Sequence, residues 1–247
     1  MKHGFIKAAA MTPKIKVADP IYNAKEICKG VEEALAKEAK IVVFPELCLT
    51  GYTCGDLFLQ EMLLSKAKEA LDTVVEATQG SDALVFAGLP LRKDCKLYNV
   101  AAVMQNGELL AFVPKRFIPA YAEFCETRHF APGNTAPEVC LYQDKEVLFG
   151  TDILFRVSSM QELVVGCEIC EDIWVPDSPG TAHALAGATV MVNLSASSEM
   201  IGKDVYREML VKSASARQIT AYIYASAGEG ESTQDLVFGG HNIIAEN

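Results

Sequence analysis

NVAAVMQNGELLAFV, residues 99–113, sets two apolar runs on either side of Gln105-Asn106-Gly107. Asn and Gly accept the left-handed backbone that a two-residue hairpin turn requires, so this stretch is expected to form two antiparallel strands. The chain before it follows another rhythm. Ala24, Ile27, Val31 and Leu35 recur at helical spacing in a helix expected over Asn23 to Lys40, which runs straight into the apolar strand IVVF at 41–44. A second helix, capped by Asp56 and apolar along Leu57, Leu63, Leu64, Ala67, Leu71, Val74 and Val75, is expected to end near Gly80 before the strand ALVFAGL at 83–89.

Beyond the hairpin, alternation resumes with strand LVVGCEIC (163–170), a helix around His183 to Ala188, strand TVMVNLS (189–195), a helix over Lys203 to Gln218 and strand AYIYAS (221–226). LVFGGHNIIAEN (236–247) reads as a further hairpin cut just after its second arm, so the natural chain is expected to continue past it. Mixed alternation with hairpins implies a single α/β domain over residues 1–247 whose helices cover sheet faces. Strands as apolar as IVVF and TVMVNLS should be buried on both sides.

The formal net charge of −10 argues against a nucleic-acid surface, which needs clustered Lys and Arg. A small molecule or a protein is the expected partner. No apolar run approaches the roughly 18 residues of a membrane span, and the N-terminal MKHGFIKAAAM is too short in apolar residues for a signal peptide, so the cytoplasm is the expected compartment. Eight cysteines in 247 residues lack the density of a disulfide scaffold and are expected as reduced thiols.

Three strand ends deliver reactive groups. Val43-Phe44-Pro45-Glu46 carries a carboxylate out of an apolar strand, either as a helix cap or surface charge, or as a partly buried general base. Phe112-Val113-Pro114-Lys115 repeats the pattern with a cation, which is either exposed or placed to stabilise an oxyanion. VGCEICEDIWVP (165–176) brings Cys167 and Cys170 to a strand end. Zinc would need further ligands that no second C-x-x-C or H-x-x-x-H pair supplies, and a redox pair is disfavoured by the acidic residues after Cys170. On an extended strand the two cysteines would face opposite sides, leaving an inert core thiol or a nucleophile as readings for Cys170. None of His3, His129, His183 and His241 is well placed in sequence to activate it, which makes Glu46 the more interesting base.

Taken jointly, FPEL, VPKRFIPAYAEF and CEICEDIWVP resemble, in order and context, the Glu, Lys and Cys motifs of the nitrilase or carbon–nitrogen hydrolase superfamily. GYTCGDLF, PAYAEFCETRHFAPG, ICEDIWVPDSPG and NLSASSEMIGK with Tyr206-Arg207 are most similar to the N-terminal glutaminase domains of glutamine-dependent NAD synthetases. The resemblance implies a nitrilase-like four-layer α-β-β-α sandwich, Cys170 as nucleophile, Glu46 as general base and Lys115 as oxyanion stabiliser, assisted by the Glu171 N–H. It implies that Glu123 orients the lysine and the substrate amide. Tyr121, Glu171, Trp174, Ser197 and Lys203 would hold the α-amino and carboxylate groups of L-glutamine, although Lys203 stands where many relatives carry arginine and offers a point charge rather than a fork. No metal or cofactor is implied for this step. ATP and Mg belong to a downstream NAD synthetase domain that is expected to be absent here, since no P-loop or Ser-Gly-Gly-rich pyrophosphate motif is present. A homo-oligomer is implied as well. Two alternatives stand beside this: a stand-alone amidase acting on an ω-amide or N-carbamoyl compound, and a non-catalytic docking or regulatory module. Trp174 and the acidic Glu171 favour the glutaminase over the first, and the intact triad speaks against the second.

Overall fold

Alternation of side chains along the central strands builds the layers. Ile41 and Val43 face one way, with Leu84 and Phe86, into a core that also holds Val165, Cys167 and Val192. Val42, Val85 and Ala87 face the other way, onto Ile27, Val31, Leu71 and Val74 of two helices. Such strands are buried on both faces, as expected for a sheet sandwiched between layers. The computed structural model describes residues 4–246, and His3 and Asn247 lie outside them.

The elements are β1 (Lys7–Ala10), α1 (Pro20–Ala36), β2 (Ala39–Val43), α2 (Glu61–Ala77), β3 (Leu84–Lys93), β4 (Lys96–Gln105), β5 (Glu108–Pro114), β6 (Glu138–Tyr142), β7 (Lys145–Phe149), β8 (Leu154–Arg156), β9 (Val164–Ile169), α3 (Pro179–Leu185), β10 (Val190–Ser195), α4 (Lys203–Gln218), β11 (Ala221–Ser226) and β12 (Ile243–Ala245). One sheet has the order β1-β2-β3-β4-β5-β7-β6 and the other β12-β11-β10-β9-β8. Helices α1 and α2 cover the outer face of the first, while Val211 and Ala214 of α4 pack with Met191, Tyr222 and Tyr224 on the outer face of the second. The result is the expected four-layer α-β-β-α sandwich. β1, β2 and β3 run parallel, as do β9, β10 and β11. The C-terminal ends of β2, β5, β9 and β10 meet at one edge, where the site lies.

Asn106 and Gly107 take φ of 50° and 75° and join β4 to β5 antiparallel, as their sequence requires. Several boundaries differ from expectation. α1 starts earlier than Asn23 because Asp19 accepts the Tyr22 N–H and Pro20 suits the first turn. It stops before Lys40 because Glu38 turns left-handed, with φ 62°. Asp56 does not cap the second helix: Gly55 breaks the backbone within a 3-10 segment (Tyr52–Leu59), and the Asp56 carboxylate instead pairs with Arg128 and His129. Leu57 accordingly sits on that segment, partly exposed, rather than on the apolar face of α2. α3 begins at Pro179, where Ser178 accepts the Thr181 N–H, and ends at Leu185, short of the expected Ala188. The expected terminal hairpin is a loop that buries Phe238 and then a single strand, β12, antiparallel to β11.

Candidate active site

Glu46 sits in the turn after β2 and is fully buried. The turn can lie directly against β3 because Gly88 has no Cβ; one built there would stand 2.2 Å from the Leu47 nitrogen. Three donors converge on the carboxylate. Lys115 Nζ and Asn99 Nδ2 donate to Oε1 at 2.7 and 2.6 Å, and the Ala196 N–H, just past β10, donates to Oε2 at 2.9 Å. A carboxylate in this cradle has fixed orientation, which a base acting on one particular proton needs.

Lys115 follows β5 and is also fully buried. Its ammonium donates to Glu126 at 2.7 and 2.9 Å as well as to Glu46, and Glu126 accepts a further hydrogen bond from the Tyr52 hydroxyl at 2.9 Å. Burial alone would lower the lysine pKa, but the Glu126 and Glu46 carboxylates outweigh it and hold the group well above its ordinary value. Lys115 is therefore a permanent cation at the floor of the site. Burial pushes Glu126 up, against the pull of the lysine.

Cys170 lies just beyond β9 as the first residue of a 3-10 turn (Cys170–Ile173), with φ 45°. It is off the strand, so the expected alternation with Cys167 does not apply: Cys167 is sealed in the core and Cys170 reaches a cavity. Burial and the nearby Glu46 carboxylate push its thiol up, while Lys115 pulls it down. The resting group is a neutral thiol, and its proton must leave as the sulfur attacks. Asp172 accepts the Ile169 and Phe117 N–H groups at 2.9 and 2.8 Å, tying the cysteine turn to the segment after Lys115.

Above the thiol opens a cavity of about 320 Å³ lined by Tyr121, Glu123, Phe124, Glu126, Cys170, Glu171, Trp174, Ser197, Lys203 and Tyr206 among others. Tyr121 donates to Glu171 at 2.9 Å. Trp174 stacks on Tyr206 with centroids 5.4 Å apart, and Lys203 lies 5.9 Å from the Trp174 ring and 5.6 Å from that of Phe124. Lys203 donates to Ser198 Oγ, which donates to Glu123, both at 2.9 Å. Burial lowers the Lys203 pKa, opposed chiefly by Glu123. Ser197 is held by the buried Arg207 guanidinium at 3.3 Å. Among the described residues, no histidine lines this cavity. Among the described residues no cluster of His, Cys, Asp and Glu could hold a metal ion, and no helix is long and apolar enough to cross a membrane.

Seven of the nine expected residues line this cavity, and the other two, Glu46 and Lys115, are buried behind its Glu126 wall. One position is corrected: the carboxylate on Lys115, besides Glu46, is Glu126, whereas Glu123 sits at the wall with Ser198. Lys115 meets the loop at Glu126, the first residue of its 3-10 turn, while Glu123 is drawn to Ser198. Asn99, near the start of β4, joins the site as well, and nothing in its apolar run marks it as a partner of Glu46. Glu126→Gln keeps the shape and removes one charge beside the lysine. It is expected to cut kcat for amide hydrolysis by about 10- to 100-fold with little change in KM. Unchanged steady-state kinetics would mean that Glu46 alone positions the lysine.

A carbon–nitrogen hydrolase family model matches residues 7–246. A glutamine-dependent NAD(+) synthetase of Mycobacterium tuberculosis (strain ATCC 25618 / H37Rv) is 43% identical over 247 residues, which is 100% of this chain and 36% of that protein. One from Aquifex aeolicus is 32% identical over 92% of this chain and 36% of its own length. The crystal structure of a glutamine-dependent NAD(+) synthetase from Cytophaga hutchinsonii, 31% identical, superposes with TM-score 0.87 over 98% of this chain and 39% of that one. An amidase from Nesterenkonia sp., 19% identical, shares the fold with TM-score 0.75 over 100% of this chain and 84% of its own. The chain spans just over a third of the length of the synthetases it matches.

Proposed function

This chain belongs to the carbon–nitrogen hydrolase family, and from that premise we propose that it hydrolyses the side-chain amide of L-glutamine through a thioester on Cys170. The ammonia would serve ATP- and Mg-dependent amidation of nicotinic acid adenine dinucleotide in a synthetase domain; the relatives' name, glutamine-dependent NAD(+) synthetase, supports glutamine as the nitrogen source for making NAD. The observation that carries the reading is the buried Glu46–Lys115–Glu126 cluster beneath Cys170, at the floor of a cavity whose wall offers both a cation and carboxylates. A zwitterionic amino acid with a terminal amide fits that charge pattern. Lys203 faces the α-carboxylate, and Glu171 and Glu123 face the α-ammonium.

Glu46 takes the thiol proton as Cys170 Sγ attacks the amide carbon. The oxyanion rests against the Lys115 ammonium and the Glu171 N–H. Collapse breaks the C–N bond, and the proton held by Glu46 passes to the leaving nitrogen, which departs as ammonia. Water then gives a proton to Glu46 and its oxygen to the thioester carbon; the released sulfur recovers the proton, and glutamate leaves.

The direct test is release of glutamate and ammonia by the purified chain from L-glutamine, compared with uncharged short-chain amides. A preference in kcat/KM of about 100-fold or more for glutamine is expected, because an uncharged substrate brings no opposite charge to Lys203 and Glu171. Equal turnover of both would point to an ω-amidase of broader range. No turnover by folded protein would favour a docking or regulatory module.

A further inference from the structure

Behind the cysteine, on the sheet face that α3 and α4 cover, runs a chain of buried polar groups that no chemical step uses. Cys170 has a φ of 45°, a left-handed conformation that side-chain-bearing residues seldom adopt. Its N–H is taken by Asn193 Oδ1 at 3.1 Å. The same oxygen accepts the Ser195 hydroxyl at 2.8 Å, while Asn193 Nδ2 donates to the Tyr222 hydroxyl at 3.2 Å. Tyr222 donates in turn to Glu168, whose other oxygen accepts the Gly180 N–H at 2.7 Å at the start of α3. Asn193, Ser195, Tyr222 and Glu168 are all 0–1% exposed.

Burying an amide, a phenol and a carboxyl group costs desolvation that only full pairing offsets, and Met191 on the same face shows that an apolar side chain is accommodated there. The pairing also fixes the carboxamide. Turned over, it would set Nδ2 against the Cys170 N–H, donor against donor.

We infer that Asn193 is a positioning residue for the nucleophile: it holds the Cys170 backbone in the left-handed turn that aims the thiol into the cavity, with Tyr222 and Glu168 locking its orientation. The Cys170 N–H is thereby committed to Asn193, which leaves Lys115 and the Glu171 N–H as the groups available to an oxyanion. This rests on the reading of Cys170 as nucleophile.

Two variants test it, Asn193→Ala and Tyr222→Phe, each followed by glutamine kinetics, thermal melting and peptide-resolved alkylation of Cys170 by iodoacetamide. Asn193→Ala is expected to lower kcat about 30-fold or more with KM within about threefold, and to slow Cys170 alkylation in step, the scale for a small displacement of a reacting group. Tyr222→Phe, which leaves the Cys170 contact but frees one end of the carboxamide, should lower kcat about tenfold. A variant that melts earlier yet keeps kcat within about twofold of the parent, or loses only KM, would overturn the inference. If Asn193→Ala does not fold, Tyr222→Phe decides alone. Parent protein that shows neither turnover nor Cys170 alkylation removes the nucleophile reading, and this inference with it; an active parent with unaffected variants removes this inference only.

Discussion

Cys170→Ala is expected to lower glutamine hydrolysis by about 10,000-fold or more while leaving glutamine affinity within a few-fold of the parent. The reasoning starts from the separation of roles in the cavity. Among the described residues, the thiol is the group at the floor whose chemistry allows a covalent intermediate, since Glu46 and Lys115 are locked in a buried ion pair and no described histidine lines the space. Groups proposed to hold the amino acid, Lys203, Glu171 and Tyr121, make their contacts with one another and with Ser198 rather than with Cys170. Removing the sulfur therefore deletes the nucleophile and leaves the binding surface in place. Alanine meets the same left-handed backbone, so no new strain enters. Steady-state assay and calorimetric binding of glutamine check both halves. Residual activity above about 1% would mean that another group attacks the amide.

Lys115→Met is expected to damage both stability and activity. The ammonium lies between Glu46 and Glu126, with all three groups at least 94% buried by exposure values of 0%, 0% and 6%. Removing one partner of a buried ion pair costs about 3–5 kcal/mol, because the remaining charge has neither water nor counterion. For a chain of this size that corresponds to a fall in Tm of about 10 °C. Amide hydrolysis should fall by about 1,000-fold, since the oxyanion loses its cation. A pH dependence follows as well. Burial already raises Glu126, and without the lysine it rises further, so the folded form holds a proton that the unfolded chain releases. The variant should then regain stability as pH falls from neutral toward the ordinary carboxylate range, and more steeply than the parent, in which the lysine opposes the rise of Glu126. Melting curves across that range are the check. A parent-like Tm at pH 8 would show that the two carboxylates do not depend on the cation.

The three reactive positions were legible because each follows an apolar strand that stops abruptly, twice at a proline, so a charged or nucleophilic group at its end stands out. The layers were legible for the same reason: runs such as 41–44 and 189–195 are too apolar for any one-sided sheet. Where turn chemistry is unusual, the pattern failed. Asp94-Cys95 and Gln143-Asp144 close the β3–β4 and β6–β7 hairpins with both residues left-handed, yet neither pair carries the glycine that announces such a turn. The choice between Glu123 and Glu126 was equally hidden. Loops have no period, and only the reach of Lys115 in three dimensions selects the second. Asn193 and Glu168 sit in strands read as apolar, and their pairing through Tyr222 spans three strands that sequence alone does not align.

The most direct test of the central claim is peptide-resolved mass spectrometry after treatment with a diazoketone analogue of glutamine, with free glutamine as competitor. The account predicts one adduct, on Cys170, suppressed by glutamine, with Cys95 and Cys125 untouched despite their exposure. Adducts spread over the exposed cysteines, or a Cys170 adduct indifferent to glutamine, would contradict it.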